Sequence, residues 1–150
     1  MSEVRDAIEN LLYRYAEAID AGDFDAVGAL FANGTIALDD GTPIATGAEA
    51  VTALYTATTR RYDDGTPRTQ HVTTNARIDV AEDGTSAVCR SRFTVFQQTE
   101  QLPLQPIIAG HYTDTFAPID GQWHFTERRM RPTLYGDLSQ HLLIEDMQTP

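Results

Sequence analysis

Between Val4 and Ala21 the apolar residues Ile8, Leu11, Leu12, Tyr15, Ala16 and Ile19 recur at the i, i+3, i+4, i+7 spacing of one helix face. Gly22 supplies the left-handed residue that can end such a helix, and Asp23 can cap a second, "FDAVGALFA", which stops before Asn33-Gly34. The two make a short hairpin. After a β segment, "TIALDDGTPIAT", Gly47 opens a third helix, "AEAVTALYTATTRRY", with Val51, Leu54 and Tyr55 on one stripe. The period then falls from 3.6 to 2, which predicts strands over 68–81, 85–100, 105–118 and 121–132, separated by "EDGT", "LPLQP" and "IDGQ". Asp83-Gly84 and Asp120-Gly121 are hairpin-turn dipeptides. Strands this long must curve, and Gly110 offers a bend site. The expected fold is α+β: a cone-shaped, curved, mostly antiparallel sheet with three N-terminal helices enclosing a pocket, in one domain spanning 1–150.

Within "RTQHVTTNARIDV", residues 68 to 80, the even positions from Val72 to Val80 are mostly apolar, whereas the odd positions include His71, Thr73 and Asn75. Strict alternation then places the histidine, hydroxyl and amide together, as a pocket wall would, although a solvated sheet face has the same pattern. His111 shares strand parity with Ala109, Thr113 and Thr115, a small and polar row suited to the border of a cavity.

Composition narrows the chemistry. Twenty-two acidic residues against eleven basic ones give a net charge of −11, which repels phosphate backbones and anionic lipid, so neither nucleic acid nor membrane is an expected partner. All eleven basic residues are arginines, so no lysine is present to form a Schiff base. The single cysteine, Cys89, forms no internal disulfide, and the first residues lack the basic start and apolar run of a secretory signal; both predict a cytoplasmic, reducing location. The four histidines and the cysteine show no paired-ligand spacing, and no phosphate loop, dinucleotide fingerprint or nucleophile elbow is present. Neither metal nor cofactor is therefore expected.

The segments "YRYAEAIDAGDFDAVGALF", "TGAEAV", "RTQHVTTNARIDV" and "GHYTDTFAPIDGQWHFTER" resemble, in order and spacing, the nuclear transport factor 2-like superfamily, and within it the SnoaL-like and scytalone dehydratase-like proteins. That superfamily hosts cyclases, isomerases, dehydratases, epoxide hydrolases and non-catalytic binding domains. Carried over position by position, the resemblance implies that Asp20 and His71 are the acid–histidine pair that dehydratases and the related lindane dehydrochlorinase use for proton abstraction. It matches His111 to a second histidine of scytalone dehydratase, and Arg128 to a cavity arginine of the dehydrochlorinase. Ile19 stands where scytalone dehydratase has a water-holding tyrosine, and Tyr15 where the dehydrochlorinase has a lysine, so substrate identity does not transfer.

A carboxylate bonded to one imidazole nitrogen fixes the tautomer, frees the other nitrogen as a base and stabilises the imidazolium formed on proton capture. The expected activity is a cofactor-independent lyase or isomerase acting on a small, largely apolar hydroxylated or carbonyl compound. Asp20 orients His71 as base, His111 assists as acid or water holder ahead of Tyr15 and Tyr55 as proton donors, and Tyr15, Tyr55, Asn75 and Arg128 help bind substrate. The rival readings are a non-catalytic ligand-binding or assembly module, with Asp20 and His71 too far apart to bond, and an epoxide hydrolase or polyketide cyclase using the same pocket. Each residue also has a structural reading: Asp20 as a turn former, His111 as a satisfied sheet histidine, and Arg128, Arg129 and Arg131 as sheet-surface ion pairs. His124 and His141 read as exposed, and Cys89 as a small core residue. The uncovered sheet face predicts a homodimer or higher oligomer.

Overall fold

The computed structural model describes residues 2–143. Helix α1 (Ser2–Asp20) buries Ile8, Leu11, Leu12, Tyr15, Ala16 and Ile19, the stripe expected from the spacing. Gly22, at φ 73°, closes it with the paired bonds Gly22 N–H to Ile19 O (2.9 Å) and Asp23 N–H to Ala18 O (2.9 Å). A Cβ at Gly22 would lie 1.9 Å from the Gly65 carbonyl oxygen, so glycine is required for contact as well as conformation. Asp23 then caps α2 (Phe24–Leu30) by accepting from Ala26 N–H at 3.1 Å.

Two short strands, β1 (Thr35–Leu38) and β2 (Pro43–Thr46), precede α3 (Ala48–Thr58). Four long strands follow: β3 (Thr69–Val80), β4 (Ala87–Gln97), β5 (Gln105–Ile119) and β6 (Gln122–Tyr135). They form one six-stranded sheet in the order β2-β1-β6-β5-β4-β3, antiparallel except where β1 runs parallel to β6. The sheet is curved and unclosed. Its register shifts between Thr74 and Arg77, Val95 and Phe96, Ala109 and Gly110, and Thr115 and Phe116, and such bulges bend strands. At Gly110 an added Cβ would come within 2.4 Å of Arg131 O and 2.8 Å of the Phe93 ring, so the backbones meet there at a distance only glycine permits.

The helices cover one face. The α1 stripe, with Val27, Phe31 and Val51, meets Ile36, Ile78, Cys89, Phe93, Val95, Ile107, Tyr112, Phe116 and Phe125 from the sheet in a continuous core. The opposite face is polar, with Asp39, Arg77, Arg90, Arg92, His111, Thr113 and Arg131 around an open groove of about 600 Å³.

Two expectations change here. The predicted third helix to Tyr62 stops at Thr58, because Thr59 turns extended (φ −108°, ψ 124°) and bridges to Leu142 near the other end of the chain. β-Branched threonines at 56, 58 and 59 weaken the helical alternative. On β3, alternation does not run unbroken. His71 lies opposite Val95 and Thr73 opposite Phe93, both inward, but after the bulge the inward residues are Ile78 opposite Cys89 and Val80 opposite Ala87. The extra residue exchanges the faces, so the polar half and the apolar half of this strand share one side of the sheet.

Candidate active site

β3 is an edge strand, so half of its backbone N–H groups lack a neighbouring strand. The last residue of α1 occupies that edge. Asp20 Oδ2 accepts the His71 backbone N–H at 2.8 Å, while Oδ1 accepts the Thr69 hydroxyl at 2.8 Å and lies 2.6 Å from His71 Nδ1. A carboxylate at a helix C-terminus faces the negative end of the dipole, which costs about 0.3–1 kcal/mol; three hydrogen bonds to the neighbouring strand offset it. With Nδ1 engaged by Asp20, Nε2 is the imidazole nitrogen left for a ligand. The Asp20 side chain keeps 22% of its exposure and that of His71 9%, so the pair is sheltered but not sealed.

A second histidine stands beside them. His141 is 8% exposed, and its ring centroid is 6.4 Å from that of His71 at an interplanar angle of 62°. Burial, reinforced by the neighbouring His71, pushes its imidazole down to about 4. It is therefore neutral at ordinary pH. The expectation that His141 is exposed is corrected: the segment after β6 folds back over α3's exit, with Leu138 buried and His141 O accepting Arg60 N–H at 2.8 Å.

Deeper in the same interior lies an ion pair. Arg128 donates from Nε to Asp114 Oδ1 at 2.8 Å and from Nη2 to Oδ2 at 2.9 Å, a bidentate fork with both side chains at 0% exposure. Three rings sandwich the guanidinium: its Cζ is 3.6 Å from the Tyr112 ring centre, 4.2 Å from Tyr15 and 5.1 Å from Phe125. Nη1 has no hydrogen-bond partner among the described residues. Burial pushes the Asp114 carboxyl up, with the guanidinium opposing it. Burial works to lower Arg128, but the Asp114 carboxylate outweighs it and the guanidinium stays charged. The expected surface ion pair of Arg128 is thus an interior one. Tyr15 and Tyr55 share a short hydroxyl–hydroxyl bond above this layer, and burial raises both phenols. They serve as hydrogen-bonding groups, not as readily ionised acids.

His111 and Asn75 do not join the site. His111 lies between Arg92 and Arg131 in a cross-strand row on the outer face, and the supposed cavity row of Ala109, Thr113 and Thr115 lies there with it. Tyr112, Asp114 and Phe116 form the inward row. Asn75 is exposed at φ 58° inside the β3 bulge, lining the outer groove. Sequence reasoning missed Asp114, His141 and Thr69. Asp114 left a signal: an acid alternating with Tyr112 and Phe116 must find a buried partner, and Arg128 is directly opposite in register. Cys89 is buried, and burial pushes its thiol up to about 12, which fits a packing residue. Among the described residues, no group of three or more His, Cys, Asp or Glu side chains is placed to hold a metal.

Residues 1–129 match the family model of the SnoaL-like domain, and the chain belongs to that family. Among solved structures, it is similar to a candidate scytalone dehydratase from Novosphingobium aromaticivorans, at 28% identity, TM-score 0.67, and coverage of 89% of this chain and 85% of that one. A Mycobacterium tuberculosis protein of unknown function, solved as a single-residue variant, is 26% identical at TM-score 0.67, covering 85% of this chain and 70% of that one. A cystatin-like-fold protein from Nostoc punctiforme, 22% identical, superimposes at TM-score 0.71 over 89% and 94% of the two chains and shares the fold. No curated protein matches the chain in sequence. The family model and the scytalone dehydratase-like structure agree on the fold. No helix among the described residues is long and apolar enough to cross a membrane.

Proposed function

We propose that the protein is a cofactor-independent lyase or isomerase that removes a proton from carbon in a small, largely apolar hydroxylated or carbonyl compound. The observation that carries this reading is the 2.6 Å contact between Asp20 Oδ1 and His71 Nδ1, in a carboxylate whose other oxygen is also anchored to the same strand. In the proposed step the substrate C–H bond breaks, its proton goes to His71 Nε2, and its electron pair moves onto the adjacent carbonyl oxygen. Asp20 steadies the imidazolium. The enolate then either expels its β-hydroxyl, which takes the proton from the His71 imidazolium and leaves as water, giving dehydration, or takes the proton back at a different carbon, giving isomerisation. Positioned acid–base assistance of this kind contributes about 10²–10⁴ in rate. Tyr15, Tyr55 and Arg128 belong to the buried interior on the same side of the sheet, where the charge of Arg128 is matched by Asp114.

A binding module without turnover would have no use for an acid–imidazole pair locked at hydrogen-bond distance on an edge strand, and that geometry weighs against it. Deuterium wash-in tests the proposal before the substrate is known. In D₂O, a panel of small cyclic hydroxyketones is followed by proton NMR for loss of C–H signal. Wild-type protein should catalyse exchange in at least one member, and His71→Ala should abolish it while leaving the melting temperature within a few degrees. Exchange undiminished in His71→Ala removes the proposal. Oxygen-18 incorporation from solvent would instead indicate water addition, the epoxide-hydrolase chemistry.

A further inference from the structure

His141 is bonded everywhere except where a merely structural histidine would be. Its backbone N–H donates to Leu138 O at 3.0 Å, its carbonyl accepts Arg60 N–H at 2.8 Å, and the residues on either side are also tied down. Gln140 O accepts the Gln97 amide at 3.0 Å and the Tyr62 hydroxyl, while Leu142 bridges to Thr59. The segment from Leu138 to Leu143 is thus held to the exit of α3 and the end of β4 by backbone and neighbouring groups. The imidazole has no part in that: its Nδ1 is buried and has no hydrogen-bond partner among the described residues. A buried, unpartnered ring nitrogen costs about 1–3 kcal/mol, and the fold keeps this imidazole beside His71 without a hydrogen bond in return.

We propose that His141 is the second functional imidazole of the site, and that it touches the ligand by donating a hydrogen bond to the substrate oxygen that gains charge as His71 takes the proton. This rests on the reading of Asp20 and His71 as the base pair. The ring spacing of 6.4 Å suits the division of labour, because a carbon acid and its carbonyl oxygen are neighbours and must be met by two different groups. A neutral His141 places no positive charge beside a protonated His71, and a neutral ring still carries one N–H to donate. His111, which the sequence resemblance put in this role, is on the far side of the sheet.

The test uses 4-nitrophenolate, whose ionised oxygen stands in for an enolate and whose absorbance reports binding. Wild-type protein should bind it with perturbation of the His141 ring resonances. His141→Phe keeps an apolar filling of the space and should bind roughly tenfold more weakly or worse, the worth of one hydrogen bond to a charged oxygen. His141→Gln restores a donor and should recover most of that loss, which a purely structural role would not produce. The proposal is overturned if wild-type protein does not bind the probe, if His141→Phe binds it as well as wild type, or if His141→Gln is no better than His141→Phe. The base assignment is judged separately, by deuterium wash-in of wild type against His71→Ala. Retained exchange in that variant would strike the Asp20–His71 reading without altering the nitrophenolate result.

Discussion

Asp20 with His71 and Asp114 with Arg128 are both close carboxylate–nitrogen pairings against the inner side of one sheet, at 2.6 and 2.8 Å. Their surroundings differ. The first joins a helix end to an edge strand and keeps partial exposure, whereas the second joins two central strands, has none, and is enclosed by aromatic rings. A pair that exchanges protons needs a nitrogen that can both take and release one, which an imidazole offers, and the edge pair keeps partial exposure. A guanidinium cannot be deprotonated under ordinary conditions, so Arg128 stays charged, matched by Asp114, and organises the interior around it. Under the proposed function, the same chemical motif thus moves a proton at the edge, while in the centre it is a closed ion pair.

The largest effect expected from breaking this contrast is on the central pair. Arg128→Met leaves a carboxylate buried without its counter-charge and should lower stability by about 3–5 kcal/mol in urea unfolding, as should Asp114→Leu. The double variant Asp114→Leu with Arg128→Met removes both charges and should recover most of the loss, because the penalty arises from the unpaired partner. If the double variant is as unstable as the sum of the singles, the pair is not a unit.

His141 sharpens the comparison through pH. Its folded value of about 4 lies below the ordinary histidine value of roughly 6.5, so between them the unfolded chain binds a proton that the folded chain does not. Its contribution is therefore constant above about pH 6.5, and stability is lost as pH falls toward 4, by roughly 3 kcal/mol across that window. His141→Phe should flatten that part of the stability–pH curve relative to wild type. An unchanged slope between about pH 6.5 and 4 would place the ring in water. The smallest effect belongs to the outer face: His111→Ala should leave deuterium wash-in within about twofold of wild type and stability within about 0.5 kcal/mol.

How much of this was legible in the sequence depended on whether periodicity survived. The α1 stripe and the Gly22 stop are local consequences of spacing and backbone freedom, and they appear where the pattern put them. Asp20 and His71 meet across the fold, a juxtaposition that no spacing rule dictates and that only the family resemblance put side by side. Parity failed on β3 because the bulge at Asn75 and Ala76 inserts a residue, a change that leaves no hydrophobic signature. On β5 the wrong row was assigned to the interior, because a small polar row resembles a cavity wall and the inward row conceals its charge between aromatics. Asp114 became informative only once its partner across the strand was known. His141 lies beyond the last strand, where no repeating pattern constrains which side chains turn inward, so its burial was invisible to periodic reasoning.

The central claim, that Asp20 holds His71 with Nε2 free to act as the base, is tested most directly by the nitrogen-15 shifts of the His71 ring in the free protein at neutral pH. The geometry predicts the tautomer protonated at Nδ1, with the other nitrogen bare, and a loss of that preference in Asp20→Ala. A ring protonated at Nε2 in wild type, or an unaltered tautomer in Asp20→Ala, would contradict the assignment.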